Sequence, residues 1–151
     1  MITVHCPTPA DTSRLGTRLA AFLVPGDVVS LRGPLGAGKT LFVGGIAAGL
    51  GIEEPITSPS FVLTREYLSG LLPLVHADVF RLGTFNEFDD LDLLSEATIG
   101  VLVIEWGEVV EGVLPTEHLR VRFEVEEDET RIITLNGYGD RWSHLREVVD
   151  P

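Results

Sequence analysis

The 151-residue sequence predicts a three-layer α/β domain with a mixed central sheet and a late antiparallel hairpin. Three observations carry that expectation. A glycine-rich loop at 33–40 stands between a short β-prone run and a helical apolar stripe. Val101-Leu102-Val103-Ile104 is continuously apolar, as expected of a strand buried on both faces. His118-Leu119-Arg120-Val121-Arg122-Phe123-Glu124-Val125 alternates residue by residue, the period of a strand with one face in the core.

In chain order, Ile2 to Cys6 reads as the first strand. Thr8-Pro9-Ala10-Asp11 opens a helix, with Thr8 as N-cap, Pro9 at the first helical position and Asp11 in the first turn. Leu15, Leu19, Phe22 and Leu23 form its apolar face. Pro25-Gly26-Asp27 turns the chain into a strand over Val28 to Leu31. Past the glycine-rich loop, Leu41, Phe42, Ile46, Ala47 and Leu50 give a helix ending near Gly49-Leu50-Gly51. Gly44 and Gly45 cost that helix about 1 kcal/mol each relative to alanine, so close packing is expected to compensate. Thr57-Ser58-Pro59-Ser60 breaks the chain before a strand over Phe61 to Tyr67. Leu74 to Asp78 is a further strand, and Asn86 to Leu94 a short acidic helix with Phe88, Leu91 and Leu94 inward. The alternating run pairs with Arg131 to Leu135 across a turn at Glu126 to Asp128, making the hairpin. A short helix is expected around Trp142 to Val149. With no repeat, low-complexity tract or linker, the chain is expected to be one domain, 1–151.

Composition narrows the function. At 44% hydrophobic the chain can bury its own core. No stretch is long and apolar enough to span a bilayer, and the first residues lack the charged-then-apolar order of a signal peptide. A lone cysteine, Cys6, cannot form an internal disulfide and fits a reducing compartment, so cytoplasm is expected. His5, His76, His118 and His144 show no metal-ligand spacing and are expected to be structural or at the surface. The formal net charge of −12 argues against autonomous nucleic-acid binding, which needs a basic surface to displace counterions. In a nucleic-acid pathway, other proteins would have to hold the nucleic acid.

The chemistry lies in Gly33-Pro34-Leu35-Gly36-Ala37-Gly38-Lys39-Thr40, which matches G-x-x-x-x-G-K-[ST] and contains the only lysine of the chain. Its glycines let several N–H groups point at one phosphate chain. Lys39 can reach the β- and γ-phosphates, and the Thr40 hydroxyl can ligate Mg²⁺. This places the fold in the P-loop NTPase type. Turnover also needs acids, and two end apolar strands: Glu105, in a Walker-B arrangement, and Asp78. Ligands of open α/β sheets gather at the carboxyl ends of strands, where both acids lie. The alternative for each acid is to cap the helix or turn that follows it. Thr57-Ser58-Pro59-Ser60-Phe61 can sense a γ-phosphate or serve as an ordinary turn. Trp106 can stack on a ligand or partner, or simply pack.

Taken together, Leu35-Gly36-Ala37-Gly38-Lys39-Thr40, Thr57-Ser58-Pro59-Ser60-Phe61, His76-Ala77-Asp78-Val79-Phe80-Arg81-Leu82 and Ile104-Glu105-Trp106 resemble the TsaE (YjeE) family. That family is the small bacterial ATPase of tRNA threonylcarbamoyladenosine biosynthesis. The resemblance implies Mg-ATP on the loop, with Thr40 and Glu105 holding the metal, Asp78 near the γ-phosphate, and Thr12 and Arg131 touching the nucleotide. It also implies action with TsaB and TsaD, the latter transferring the threonylcarbamoyl group to tRNA, and ATP hydrolysis that resets the complex. The chain departs from the family at Ser60, where threonine is more usual, and at Phe80, which lacks the hydroxyl of the common tyrosine.

Three other functions are open to a phosphate-binding loop. A small-molecule kinase usually brings an arginine-bearing lid, and Arg65 and Arg81 are the only mid-chain arginines. A GTPase of the N-K-x-D type would need a second lysine. A scaffold that keeps nucleotide without turnover would bind Mg-ATP and release no phosphate.

Overall fold

The computed structural model describes residues 1–59, 64–80, 94 and 98–149. Its strands are β1 (Ile2–Cys6), β2 (Val28–Arg32), β3 (Thr64–Tyr67), β4 (Leu74–Asp78), β5 (Val101–Glu105), β6 (His118–Val125) and β7 (Arg131–Tyr138). Its α-helices are α1 (Pro9–Ala20) and α2 (Lys39–Gly49). The strands form one mixed sheet in the order β1-β7-β6-β2-β5-β4-β3. The four inner neighbours β6, β2, β5 and β4 run parallel, and antiparallel strands close both sides.

Alternation sorts side chains onto two cores. Val101 and Val103 of β5 face the core under α1 and α2, and Leu102 and Ile104 face a second core that includes Val28, Val75, Ala77 and Val110. A strand apolar on both faces is therefore sandwiched between two layers, as its sequence requires. Val110 comes from a 3-10 segment, Gly107–Val113, that follows β5 directly. The expected helix over 86–94 lies outside the described residues except for Leu94, which packs on this second core. The first three residues of the strand expected from Phe61 also lie outside them.

Helix α1 starts where its capping signals place it. The Asp11 N–H donates to Thr8 Oγ1 at 3.2 Å, and the Thr8 N–H donates to Asp11 Oδ2 at 3.0 Å, a reciprocal box. The Thr8 hydroxyl also donates to Asp11 Oδ2 at 2.8 Å, and this bond first, then that of the Thr8 N–H, holds the Asp11 carboxyl below the usual carboxylate range. α1 lies against α2 through glycine: a Cβ on Gly45 would meet the Ser13 carbonyl oxygen at 2.0 Å, and one on Gly16 the Phe42 carbonyl oxygen at 2.4 Å. Close packing thus accounts for Gly45. It does not account for Gly44, whose Cβ position has nothing within 4 Å.

Two further expectations change. The hairpin's second strand runs on to Tyr138, three residues past Leu135. The C-terminal helix is replaced by 3-10 turns, Asp140–Trp142 and Leu145–Val148, which return Trp142 and Leu145 to the first core. Arg141 anchors this return by a two-pronged pair with Asp27, Nε to Oδ1 at 2.8 Å and Nη2 to Oδ2 at 2.6 Å. Cys6 is buried in β1, and burial raises its thiol pKa, in keeping with an unreactive strand residue. Among the described residues, no helix is long and apolar enough to cross a membrane.

Candidate functional site

β2 delivers the glycine-rich loop at the centre of the sheet, and the parallel register aligns the acids beside it. Leu31 is level with Glu105, and Asp78 is level with Glu105 on the other side. Three strand ends therefore open onto one place, the arrangement that parallel sheets use for ligands. The loop itself needs left-handed backbone at Gly36 (φ 79°) and Gly38 (φ 104°), which glycine adopts without strain. Gly38 is also the N-cap of α2 and supplies no side chain to the helix's first N–H groups. Donors at a helix start without a side-chain cap are of the kind that can take an anion.

Lys39 is buried, and its Nζ donates to the Gly33 and Pro34 carbonyl oxygens at 2.6 and 3.0 Å. The same ammonium lies 4.0 Å from the centre of the Trp106 ring. Burial pulls its pKa below the ordinary lysine value, while Glu105, Glu108 and Asp78 pull it back up. The Thr40 hydroxyl lies 3.1 and 3.0 Å from the two carboxylate oxygens of Glu105. Glu105 is also 2.5 Å from His76 Nε2 through Oε2. Asp78 accepts from the Phe80 N–H at 3.0 Å and from the Ser58 hydroxyl at 3.5 Å. Asp78 therefore caps its turn, as one alternative held, and also lines the site.

A cavity of about 580 Å³ is bounded by the loop from Leu35 to Thr40 and by Ser58, Asp78, Glu105 and Trp106. A second, of about 260 Å³, lies on the outer side of the loop between Thr12 and Arg131. Gly36, Gly38 and Leu41 line both, so the two spaces meet along the loop. Arg131 Nε and Nη2 donate to the Ala37 and Gly36 carbonyl oxygens, each at 3.2 Å, and so brace the loop from outside.

The structure thus gathers Leu35, Gly36, Ala37, Gly38, Lys39, Thr40, Asp78 and Glu105 around one space, and Thr12 and Arg131 around its neighbour. Ser60, Phe61, Arg81 and Leu82 lie outside the described residues. Trp106 takes a left-handed conformation (φ 62°, ψ 38°), rare for a bulky residue, which turns the chain sharply after Glu105. Its ring stacks obliquely on Phe80 at 4.7 Å and walls the cavity. His76, expected to be structural or at the surface, is buried and touches Glu105, a contact the sequence reading did not name. Its spacing two residues before Asp78 on a strand, hence on the same face, was the available signal.

Comparison with known proteins adds an independent line. Residues 6–133 match the sequence family described as "Threonylcarbamoyl adenosine biosynthesis protein TsaE". The tRNA threonylcarbamoyladenosine biosynthesis protein TsaE of Bacillus subtilis is 41% identical over 139 residues, 92% of this chain and 87% of that one. Its counterpart in Mycobacterium bovis is 46% identical over 142 residues, 87% of this chain and 84% of that one. The crystal structure of Bacillus subtilis YdiB superimposes with a TM-score of 0.83 at 37% identity, covering 99% of this chain and 94% of that one.

Proposed function

The chain belongs to the TsaE family, and from that premise we propose that it is a Mg²⁺-dependent ATP hydrolase serving tRNA threonylcarbamoyladenosine modification. The observation that carries the proposal is the Thr40 hydroxyl 3.1 and 3.0 Å from the carboxylate oxygens of Glu105, at the first turn of a helix with unfilled N–H groups. A hydroxyl beside a carboxylate is a hard-oxygen set suited to Mg²⁺, which characteristically takes one or two protein oxygens and completes its shell with phosphates and water. Among the described residues, no group of three or more histidine, cysteine, aspartate or glutamate side chains could hold an ion alone. The cavity's 580 Å³ falls within the range of small-molecule and cofactor sites.

In this assignment the N–H groups of Gly36 to Thr40 cradle the phosphates. Lys39 exchanges the Gly33 and Pro34 carbonyls for phosphate oxygens. Thr40 and Glu105 would hold Mg²⁺, which neutralises charge on the phosphates. Asp78 lies level with Glu105 on the neighbouring strand and lines the same cavity, and it is assigned to orienting the attacking water. Thr12 and Arg131 flank the second cavity, where the nucleoside end would lie.

Partners are proposed by the same logic. Leu35 and Phe80 are 89% and 59% exposed at the cavity rim, apolar surface that a companion protein would cover. TsaB and TsaD are the proposed companions in the cytoplasm, with hydrolysis resetting the transferase. A net charge of −12 leaves tRNA to them. The test is phosphate release from ATP, with Mg²⁺ or with EDTA, by the chain alone and with both partners added. Release that needs Mg²⁺ and rises with the partners is expected. No release under any of these conditions would leave the scaffold function in its place.

A further inference from the structure

His76 is the third residue of β4, on the strand beside the one that carries Glu105. Its side chain is 0% exposed, and Nε2 lies 2.5 Å from Glu105 Oε2. Nδ1 is also shut off from solvent and has no hydrogen-bond partner among the described residues. Together these facts locate the proton. On Nδ1 it would create a buried N–H with nothing to accept it, while a bare nitrogen lone pair faced a carboxylate oxygen. On Nε2 the proton is shared with Glu105, and only a lone pair goes unmatched.

We propose that His76 is a positioning residue, donating from Nε2 to Glu105 Oε2 so that the carboxylate is held facing Thr40 and the metal position between them. The proposal rests on the Mg-ATP assignment and adds the device that orients its carboxylate ligand. Thr40 approaches both oxygens of Glu105 about equally, at 3.1 and 3.0 Å, so its hydroxyl does not select a carboxylate rotamer. The His76 contact is made to Oε2 alone, which does. A ligand carboxylate fixed by an outer donor presents its oxygens without first losing rotational freedom. Full burial serves that purpose too, because no water competes for Oε2 from the β4 side.

Two measurements test this. Long-range ¹H–¹⁵N correlation spectra of the protein free of metal and nucleotide should show Nε2 of His76 protonated and Nδ1 bare. A protonated Nδ1 would overturn the proposal. Mn²⁺ uptake in the presence of ADP, followed by electron paramagnetic resonance, supplies the second readout. His76→Leu should weaken Mn²⁺ binding about 10- to 100-fold, the usual cost of losing an outer-shell donor. His76→Gln, whose amide N–H can stand where Nε2 stood, should recover most of the loss. ADP binding in EDTA should be the same in all three proteins, which controls for folding. Unchanged Mn²⁺ affinity in His76→Leu, or equal losses in the two variants, would overturn the role. If the unmodified protein takes up no Mn²⁺ with ADP, the Mg-ATP assignment fails, and the tautomer spectrum alone decides whether His76 holds Glu105.

Discussion

In the proposed Mg-ATP site, Lys39 and Glu105 would divide the electrostatic work between a cation for the phosphates and an anion for the metal, so their loss should look different. Lys39 now spends its hydrogen bonds on the Gly33 and Pro34 carbonyls. Lys39→Ala removes the chain's only lysine, and with it the charge proposed to meet the phosphates. Isothermal titration should show ATP binding weakened by about 2–5 kcal/mol, the usual cost of truncating one member of a buried charge pair. Binding within tenfold of wild type would remove Lys39 from the phosphate site. Glu105→Gln keeps the shape and discards the charge, so ATP binding in EDTA should survive. Phosphate release in the presence of Mg²⁺ and the partners should fall roughly 10²- to 10³-fold, as when other preorganised electrostatic groups are removed. Retained turnover would move the metal elsewhere. Both residues were legible in the sequence because their meaning is local: one lies at a fixed offset in a glycine-rich loop, the other at the end of an apolar run. His76 was not, since its partner arrives from a different strand. Arg131 braces Gly36 from 95 positions away, and only the family resemblance suggested it.

At the level of elements, adjacent glycines in α2 make opposite demands. Gly45 lets α1 approach so closely that a methyl group would lie 2.0 Å from the Ser13 carbonyl oxygen. Gly45→Ala must push the two helices apart and should destabilise the protein by about 1–3 kcal/mol, as overpacking does. Gly44 points into open space, and Gly44→Ala should stabilise by roughly 1 kcal/mol through helix propensity alone. Thermal denaturation followed by circular dichroism separates the two, with melting temperatures expected to move in opposite directions. A rise in melting temperature in both would show that helix propensity, rather than the α1–α2 contact, governs this helix. The sequence showed that something must compensate the glycines, and could not show which one, because facing requires the partner helix. It placed β1, β4, β5 and the start of α1 well, where periodicity and capping agree. It missed the end of β7, where Gly137 lets Trp142 pack against bare backbone: a Cβ there would lie 2.3 Å from that of Trp142. The C-terminal 3-10 turns escaped because three or four residues carry no period to read.

For the whole molecule, the mixed sheet could be expected, but its order could not. Nothing local in Val28 to Arg32 states that β6, some ninety residues later, will pair with it in parallel. That pairing puts β2 at the centre and the loop at the mouth of the sheet, within a chain whose net charge is −12. The consequence is a conflict of scale. Within a few ångströms of the loop, N–H groups and Lys39 attract phosphate; farther out, the summed field of the protein repels it. A charge is felt to about 10 Å at 0.1 M salt and about 30 Å at 0.01 M before screening dominates, so added salt erases the distant repulsion first. Contacts inside the cavity, partly shielded from ions, persist. The association rate constant for Mg-ATP should therefore rise with ionic strength, the reverse of the behaviour of a protein that steers its ligand in. Trp106 gives the signal, since its ring walls the cavity with Lys39 only 4.0 Å away. Stopped-flow fluorescence between about 0.01 and 0.2 M salt should show the on-rate climbing several-fold and the off-rate changing less. An on-rate that falls with added salt would mean that the loop's own field outreaches the acidic surface, and that the net charge has no bearing on nucleotide capture.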